Sequence, residues 1–175
     1  AAPVVAAVVP AAGKGRRLGS RRPKAFVRIG AEPLFIRTLE SLGCAAPFSR
    51  LIVAADRRHW GEMKKWTARR GIKGVEFVPG GGTRAESVKN GLMKLGPRDR
   101  FVLIHDMARP FVKKEEVRRV LRKAFETGAA ILALKATATV TFGLAKHGCL
   151  VGDGPAYTGS LVVDPITFPP ALLIP

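Results

Sequence analysis

An apolar run closed by proline, Val4-Val5-Ala6-Ala7-Val8-Val9-Pro10, constrains this chain more than any other stretch. Six residues without polar alternation, rich in β-branched side chains, read as a strand buried on both faces. Such a strand belongs in a parallel sheet covered by helices. Pro10 has no N–H to give a ladder and ends the run. Ala11, Ala12 and Gly13 follow, then a loop with Gly15 and Gly19 carrying Lys14, Arg16, Arg17, Arg21 and Arg22, with Lys24 behind Pro23. Glycines let backbone N–H groups approach an anion, and a turn of successive N–H groups forms an anion-binding concavity. Arginine and lysine beside it neutralise charge, one as a planar fork and the other as a point charge. The chemistry is that of a triphosphate cradle; the bland alternative is a solvated basic turn. Two familiar cradles are excluded. Leu18 stands where the dinucleotide fingerprint needs its third glycine, and no Gly-Lys-Ser/Thr closes a P-loop.

The rest of the chain alternates strands and helices. Phe26–Ile29 reads as a short strand ending at Gly30, Glu32–Leu42 as a helix stopped by Gly43, and Leu51–Ala55 as the second buried strand. Asp56–Arg70 reads as a helix with a basic exposed face (Arg57, Arg58, Lys64, Lys65, Arg69, Arg70), Val75–Val78 as a strand, and Ser87–Leu95 as helical. Phe101–Ile104 is the fourth strand, Lys113–Thr127 a helix ended by Gly128, and Ala129–Leu134 the fifth strand. This order predicts an α/β fold, a Rossmann-like three-layer sandwich with a mainly parallel sheet. A length of 175 residues predicts a single domain over 1–175.

Two further stretches carry chemistry. Pro79-Gly80-Gly81-Gly82 precedes Thr83 and Glu86, which stand at capping-box spacing, so a glycine turn is expected to open a helix with N–H groups available to a nucleotide. His105-Asp106-Met107-Ala108-Arg109-Pro110 follows the fourth strand. An Asp just beyond the carboxyl end of a buried strand lies where open α/β sheets bind ligands. Mg²⁺ takes one or two carboxylates plus substrate phosphates, so Asp106 is the expected metal ligand, and Arg109 orients it or meets a phosphate. A plain loop ion pair between the two is the structural alternative, and His105 is expected to pack at the strand end.

These motifs together resemble the sugar-phosphate nucleotidyltransferases. The string P-A-A-G-x-G-R-R, then P-K, G-G-x-x-R-x-E-S-V and H-D-x-A-R-P, is most similar to the 2-C-methyl-D-erythritol 4-phosphate cytidylyltransferase family; only Met107 departs from the last motif. The resemblance implies that CMP is transferred from CTP to 2-C-methyl-D-erythritol 4-phosphate with loss of pyrophosphate, in a Mg²⁺-dependent, cytoplasmic homodimer. By the same resemblance Arg17 and Lys24 are catalytic, stabilising charge at the α-phosphate and on the leaving pyrophosphate. Pro10, Ala11, Ala12, Gly13, Lys14 and Gly15 hold the nucleotide, with Gly81, Gly82, Arg84, Ser87 and Ala108 on the nucleoside side. Asp106 holds the metal, and Arg109 and Thr139 bind the acceptor.

Beyond Leu134 the resemblance thins. Relatives carry a basic residue-Asp-Thr triplet there, whereas this chain has Ala138 before Thr139. An alanine accepts no hydroxyl hydrogen bond, so one partner for a polyol is missing. No arginine follows Arg122, and T-P-Q-x-F is replaced by Asp164-Pro165-Ile166-Thr167-Phe168. Val140–Phe142 and Gly148–Val151 are expected to pair as strands in a dimerisation arm over 138–158. The resemblance also implies a chain longer than one ending at Pro175. A cytidylyltransferase for another polyol phosphate, such as ribitol 5-phosphate, and a CTP-binding pseudoenzyme both fit these departures.

Charge supplies a last alternative. Thirty lysines and arginines against 13 acids give +17, a balance that favours polyanions. The cations are spread over loops and helix faces, and aromatics make up 7% with no aromatic–basic alternation, so a nucleic-acid-binding role ranks last. No apolar run is long enough to cross a membrane, no cationic signal-peptide start precedes the first strand, and Cys44 and Cys149 lack metal-ligand spacing, which fits a reducing cytoplasm.

Overall fold

The computed structural model describes residues 3–13, 22–131, 138–142, 156 and 160–164, and the chain divides into two compact units, Ala1–Ala130 and Ile131–Pro175. In chain order the first contains β1 (Val5–Pro10), a 3-10 turn (Lys24–Phe26), β2 (Arg28–Ile29), β3 (Glu32–Pro33), α1 (Leu34–Ala45), β4 (Leu51–Ala55), a second 3-10 turn (Arg57–His59), α2 (Trp60–Arg69), β5 (Val75–Pro79), α3 (Arg84–Leu92), β6 (Phe101–Ile104) and α4 (Lys114–Thr127). The second contains β7 (Ala138–Phe142) and β8 (Ser160–Asp164).

Burial explains β1. Val5 to Val9 are all buried, and Ala6 to Val9 have no exposed surface. Burying a valine contributes about 1.5–3 kcal/mol, which outweighs the weak strand propensity of the alanines, an effect within about 1 kcal/mol. The strand lies at the centre of a parallel sheet in the order β5-β4-β1-β6, pairing Ala7 with Leu51 on one side and with Leu103 on the other. Side chains alternate across it. Ala7 and Val9 join Phe35, Ile36, Leu39, Leu42 and Met63 under α1 and α2, while Val8 joins Ile52, Ala54 and Val78 on the α3 face. A Cβ added at Gly91 would overlap Val8, so the glycine within α3 lets that helix approach β1 closely. The predicted α/β sandwich with a parallel sheet is what the chain forms.

The strand order also sets the sheet's switch point. From β1 the chain moves outward to β4 and β5, then returns to place β6 on the other side of β1. This reversal creates a crevice beyond the carboxyl ends of β1 and β6, the usual ligand position in open α/β sheets. Pro10–Gly13 and Asp106 both lie there.

Several boundaries differ from expectation. Phe26–Ile29 is not one strand: Pro23 leads a 3-10 turn that buries Ala25 and Phe26, and only Arg28–Ile29 pairs, antiparallel, with Glu32–Pro33 across a turn in which Gly30 has φ +64. Glu32 is therefore in a strand, and α1 starts at Leu34. Gly43 does not stop α1, which continues to Ala45. A glycine inside a helix costs about 1 kcal/mol, and here Ala45 is fully buried in the cluster with Val117 and Leu121 of α4. Asp56 caps the second 3-10 turn, so α2 begins only at Trp60. α3 ends at Leu92. Gly128 closes α4 at φ +85, as the sequence predicts.

In the second unit β7 pairs with β8 in parallel, Ala138 opposite Ser160 and Phe142 opposite Asp164. The expected partner of Val140–Phe142, Gly148–Val151, is not among the described residues, and the seventeen residues 143–159 are enough for the crossover a parallel pair requires. Gly148–Val151 and 132–134 lie outside the described residues, and Ala129–Ile131 are not in a strand. Among the described residues no helix is long and apolar enough to cross a membrane.

Candidate active site

Three segments converge beyond the sheet's carboxyl ends. The first leaves β1: the Ala11 N–H donates to Ala54 O at 2.8 Å, and Gly13 O accepts the Lys24 N–H at 3.4 Å. Gly13 and Lys24 are therefore side by side, which fixes Lys24 at the mouth of the expected cradle. Lys24 is exposed, while Ala25 and Phe26 behind it are buried. Arg22 anchors the returning leg, donating to both carboxylate oxygens of Glu62 on α2 at 2.8 Å and lying 5.0 Å over the Phe26 ring. Lys14, Gly15 and Arg17 lie outside the described residues.

The second segment follows β5. Thr83 accepts from the Glu86 N–H at 3.1 Å and Glu86 reaches back to the Thr83 N–H, completing the predicted capping box. The same Glu86 carboxylate accepts the Gly82 N–H at 2.7 Å, and Ser87 Oγ accepts the Gly81 N–H at 3.0 Å while donating to Thr83 O at 3.0 Å. The N–H groups of Gly81, Gly82 and Thr83, expected to be available to a ligand, are thus already bonded within the turn. Ser87 is buried, so its hydroxyl holds the shape of the glycine turn. An added Cβ at Gly80 would overlap Ala12, which brings this turn against the β1 loop, and one at Gly81 would overlap Glu86. Gly81→Ala should therefore undo the capping box and destabilise the chain by about 1–3 kcal/mol, read as a lower midpoint in thermal unfolding by circular dichroism. An unchanged midpoint would mean the turn shifts freely.

The third segment follows β6. The His105 N–H continues the β1 ladder to Val8 O at 3.0 Å, and its ring Nε2 lies 2.9 Å from Arg109 O. Met107, the departure from the expected motif, is buried in the core cluster beneath α1 and α2, and Ala108 is exposed. Asp106 faces outward with its side chain 33% exposed. Arg84 Nε donates to its Oδ1 at 2.8 Å, and Arg109 Nε lies 3.8 Å from Oδ2. Arg84, from the first turn of α3, thereby links the glycine turn to the β6 loop across the crevice.

Sequence reading passed over Asp56, although it stands beyond a buried strand just as Asp106 does. Its carboxylate caps the 3-10 turn and binds Arg58 Nη2 at 2.6 Å, and these hydrogen bonds hold it well below the usual carboxylate range. Asp56, Arg58 and His59 edge a cavity of about 400 Å³ whose walls include Ala11, Ala12, Phe26 and Met63. Ala11, Phe26 and Met63 belong to the α1–α2 side of the core, and Gly81, Ser87 and Asp106 are not among the residues that line the cavity. His59 was missed as well; its ring lies 5.1 Å from that of Phe26.

Thr139 belongs to β7, opposite Leu161. It is in the second unit.

A family model described as 2-C-methyl-D-erythritol 4-phosphate cytidylyltransferase matches residues 5–159. Curated proteins of that name are similar: one from Thermotoga neapolitana is 38% identical over 77% of this chain and 60% of its own length, and one from Streptomyces coelicolor is 38% identical over 73% and 48%. The chain spans about 60% or less of the length of these relatives. Among solved structures, a 4-diphosphocytidyl-2C-methyl-D-erythritol synthase is 26% identical, with a TM-score of 0.63 over 85% of this chain and 66% of that one. The synthase from Anaerococcus prevotii, 21% identical with a TM-score of 0.61 over 83% of this chain and 56% of that one, shares the fold.

Proposed function

The chain belongs to the 2-C-methyl-D-erythritol 4-phosphate cytidylyltransferase family, and we propose that it transfers CMP from CTP to 2-C-methyl-D-erythritol 4-phosphate. One observation carries the reading beyond the family match. The β1 loop with Lys24, the glycine turn with Arg84, and the β6 loop with Asp106 and Arg109 meet at the switch point of the sheet. That crevice offers the cations Lys24, Arg84 and Arg109 and one carboxylate, Asp106.

In the proposed reaction a phosphate oxygen of the acceptor attacks the α-phosphorus of CTP. The new O–P bond forms as the bond to the β-phosphate's bridging oxygen breaks, and pyrophosphate leaves with that electron pair. A phosphate monoester needs no strong base to attack, so catalysis rests on positioning and charge neutralisation. Lys24, fixed by Gly13 at the mouth of the loop, neutralises charge growing on the α-phosphate and pyrophosphate. Arg17, which lies outside the described residues, is given the same role by its place in the motif.

Mg²⁺ fits this site as a companion of the triphosphate. Among the described residues no three acidic, His or Cys side chains cluster as a cage, and Asp106 provides one carboxylate. A cation that keeps several waters and takes phosphate oxygens needs no more from the protein. Asp106 would hold it, exchanging its Arg84 contact for the metal, and the ion would neutralise triphosphate charge. Arg109, Thr139, a homodimer built through residues 138–158 and a cytoplasmic location belong to the same proposal.

Ala138 at the head of β7 keeps a second acceptor in view, because a polyol other than methylerythritol would need a different partner there. Pyrophosphate release from CTP, measured with 2-C-methyl-D-erythritol 4-phosphate and with ribitol 5-phosphate in parallel, separates the two. Release with the first acceptor alone is expected. Release with ribitol 5-phosphate alone would replace the named acceptor, and binding of CTP with no release would reduce the chain to its nucleotide half.

A further inference from the structure

The loop from His105 to Pro110 carries both Asp106 and Arg109, yet it contains no regular structure that would hold those side chains in place. Its backbone is tied instead to a helix. Thr38 Oγ1 on α1 donates to Met107 O at 2.8 Å, and Ser41 Oγ donates to Pro110 O at 2.6 Å. The hydroxyls are three residues apart on one helix, and so are the carbonyls that accept them. Two attachment points fix the tilt of the loop as well as its height. They bracket Ala108 and Arg109, and the first lies one residue after Asp106.

Thr38 does not need this bond for its own satisfaction. A threonine inside a helix ordinarily bonds the carbonyl four residues back. Leu34 O lies 3.1 Å from the same oxygen, but the shorter contact is to the loop. Thr38 has no exposed surface, so no water replaces it at the Met107 carbonyl. The Met107 side chain is buried in the core cluster that includes Phe35 and Leu39 of α1, which seats the loop from below, and the contacts of the His105 ring with Arg109 O and of the Arg109 N–H with Asp106 O shape the turn without tying it to α1.

We propose that Thr38 and Ser41 are positioning residues, a two-point hydroxyl clamp on α1 that aims Asp106 and Arg109 into the crevice. This rests on the function proposed above; neither residue is proposed to touch a substrate. Displacement of a reacting group by about 1 Å costs about 100-fold in rate, so the clamp acts on turnover more than on binding.

The test pairs Thr38→Val with Ser41→Ala in the whole chain, with Thr38→Ser as the conservative control. In the ligand-free protein, amide exchange from Met107 to Phe111 is expected to speed up roughly tenfold in the double variant, with β1 and β4 unchanged, as for a local opening. Under assay kcat is expected to fall by about 10- to 100-fold, with KM for CTP little altered, and Thr38→Ser should restore both readings. Unchanged loop exchange would overturn the proposal, as would an unchanged kcat. So would Thr38→Ser behaving like Thr38→Val on its own, since the methyl and not the hydroxyl would then be at work. If the wild-type chain releases no pyrophosphate, the functional reading fails separately and the exchange result alone decides the clamp.

Discussion

Lys24→Ala is expected to lower kcat for pyrophosphate release by about 100- to 1,000-fold, the usual cost of removing one donor from a preorganised anion site. Lys24 is exposed, and its side chain has no hydrogen bond or ion pair among the described residues. Its backbone is nonetheless fixed on both sides. The N–H reaches Gly13 O, the carbonyl accepts from Val27 N at 3.1 Å, and Ala25 and Phe26 next to it are buried. A cation held by its backbone at a loop mouth, its head without a partner among the described residues, is arranged to receive an anion. The alanine variant should therefore unfold at the wild-type temperature and bind CTP with a smaller loss than the loss in kcat. Lys24→Arg keeps the charge but replaces a point charge by a planar fork, and should fall between the two. Near-normal turnover in the alanine variant would remove Lys24 from the catalytic set.

How much of this was readable beforehand depends on the range of the interaction involved. β1 was legible because an apolar run closed by Pro10 has few alternatives, and the α3 capping box because Thr83 and Glu86 are local partners. The convergence of Gly13, Gly81 and Asp106 followed from placing each beyond a buried strand of a parallel sheet. Interactions across the fold were not legible. Nothing near Gly43 announces that Ala45 will be buried against α4, so α1 was ended too early. Nothing near Gly81 announces that Ser87 and Glu86 will take up the turn's N–H groups. The Arg84–Asp106 pair joins residues 22 apart, and Thr38 and Met107 are 69 apart, separations at which local pattern is silent. In the second unit the alternation Val140-Thr141-Phe142 marked a strand, but period-two patterning does not choose a strand's partner, and the pairing with β8 was not foreseen.

Asp106→Asn is the second change expected to act strongly, and it separates the two roles the geometry allows. The amide has nearly the shape of the carboxylate and keeps an oxygen for Arg84 Nε, so the link between α3 and the β6 loop survives while the negative charge is lost. The ion pair itself contributes little to stability, because Arg84 is 61% exposed and solvent-exposed pairs contribute about 0–1 kcal/mol. Unfolding should therefore hardly change. Turnover should fall by about 100-fold or more, as expected when a cation that would neutralise the reacting phosphates loses its carboxylate, and the Mg²⁺ concentration giving half-maximal rate should rise. If Asp106 served only to hold Arg84 and Arg109 in place, Asp106→Asn would be mild, Arg84→Ala would be as damaging as Asp106→Ala, and the Mg²⁺ dependence would match wild type in all three. The Mg²⁺ titration distinguishes these outcomes. A rightward shift in Asp106→Asn but not in Arg84→Ala assigns the carboxylate to the cation. A shift in neither leaves Asp106 as the hinge pin of an arginine pair, and the metal would then have to be held by phosphates alone.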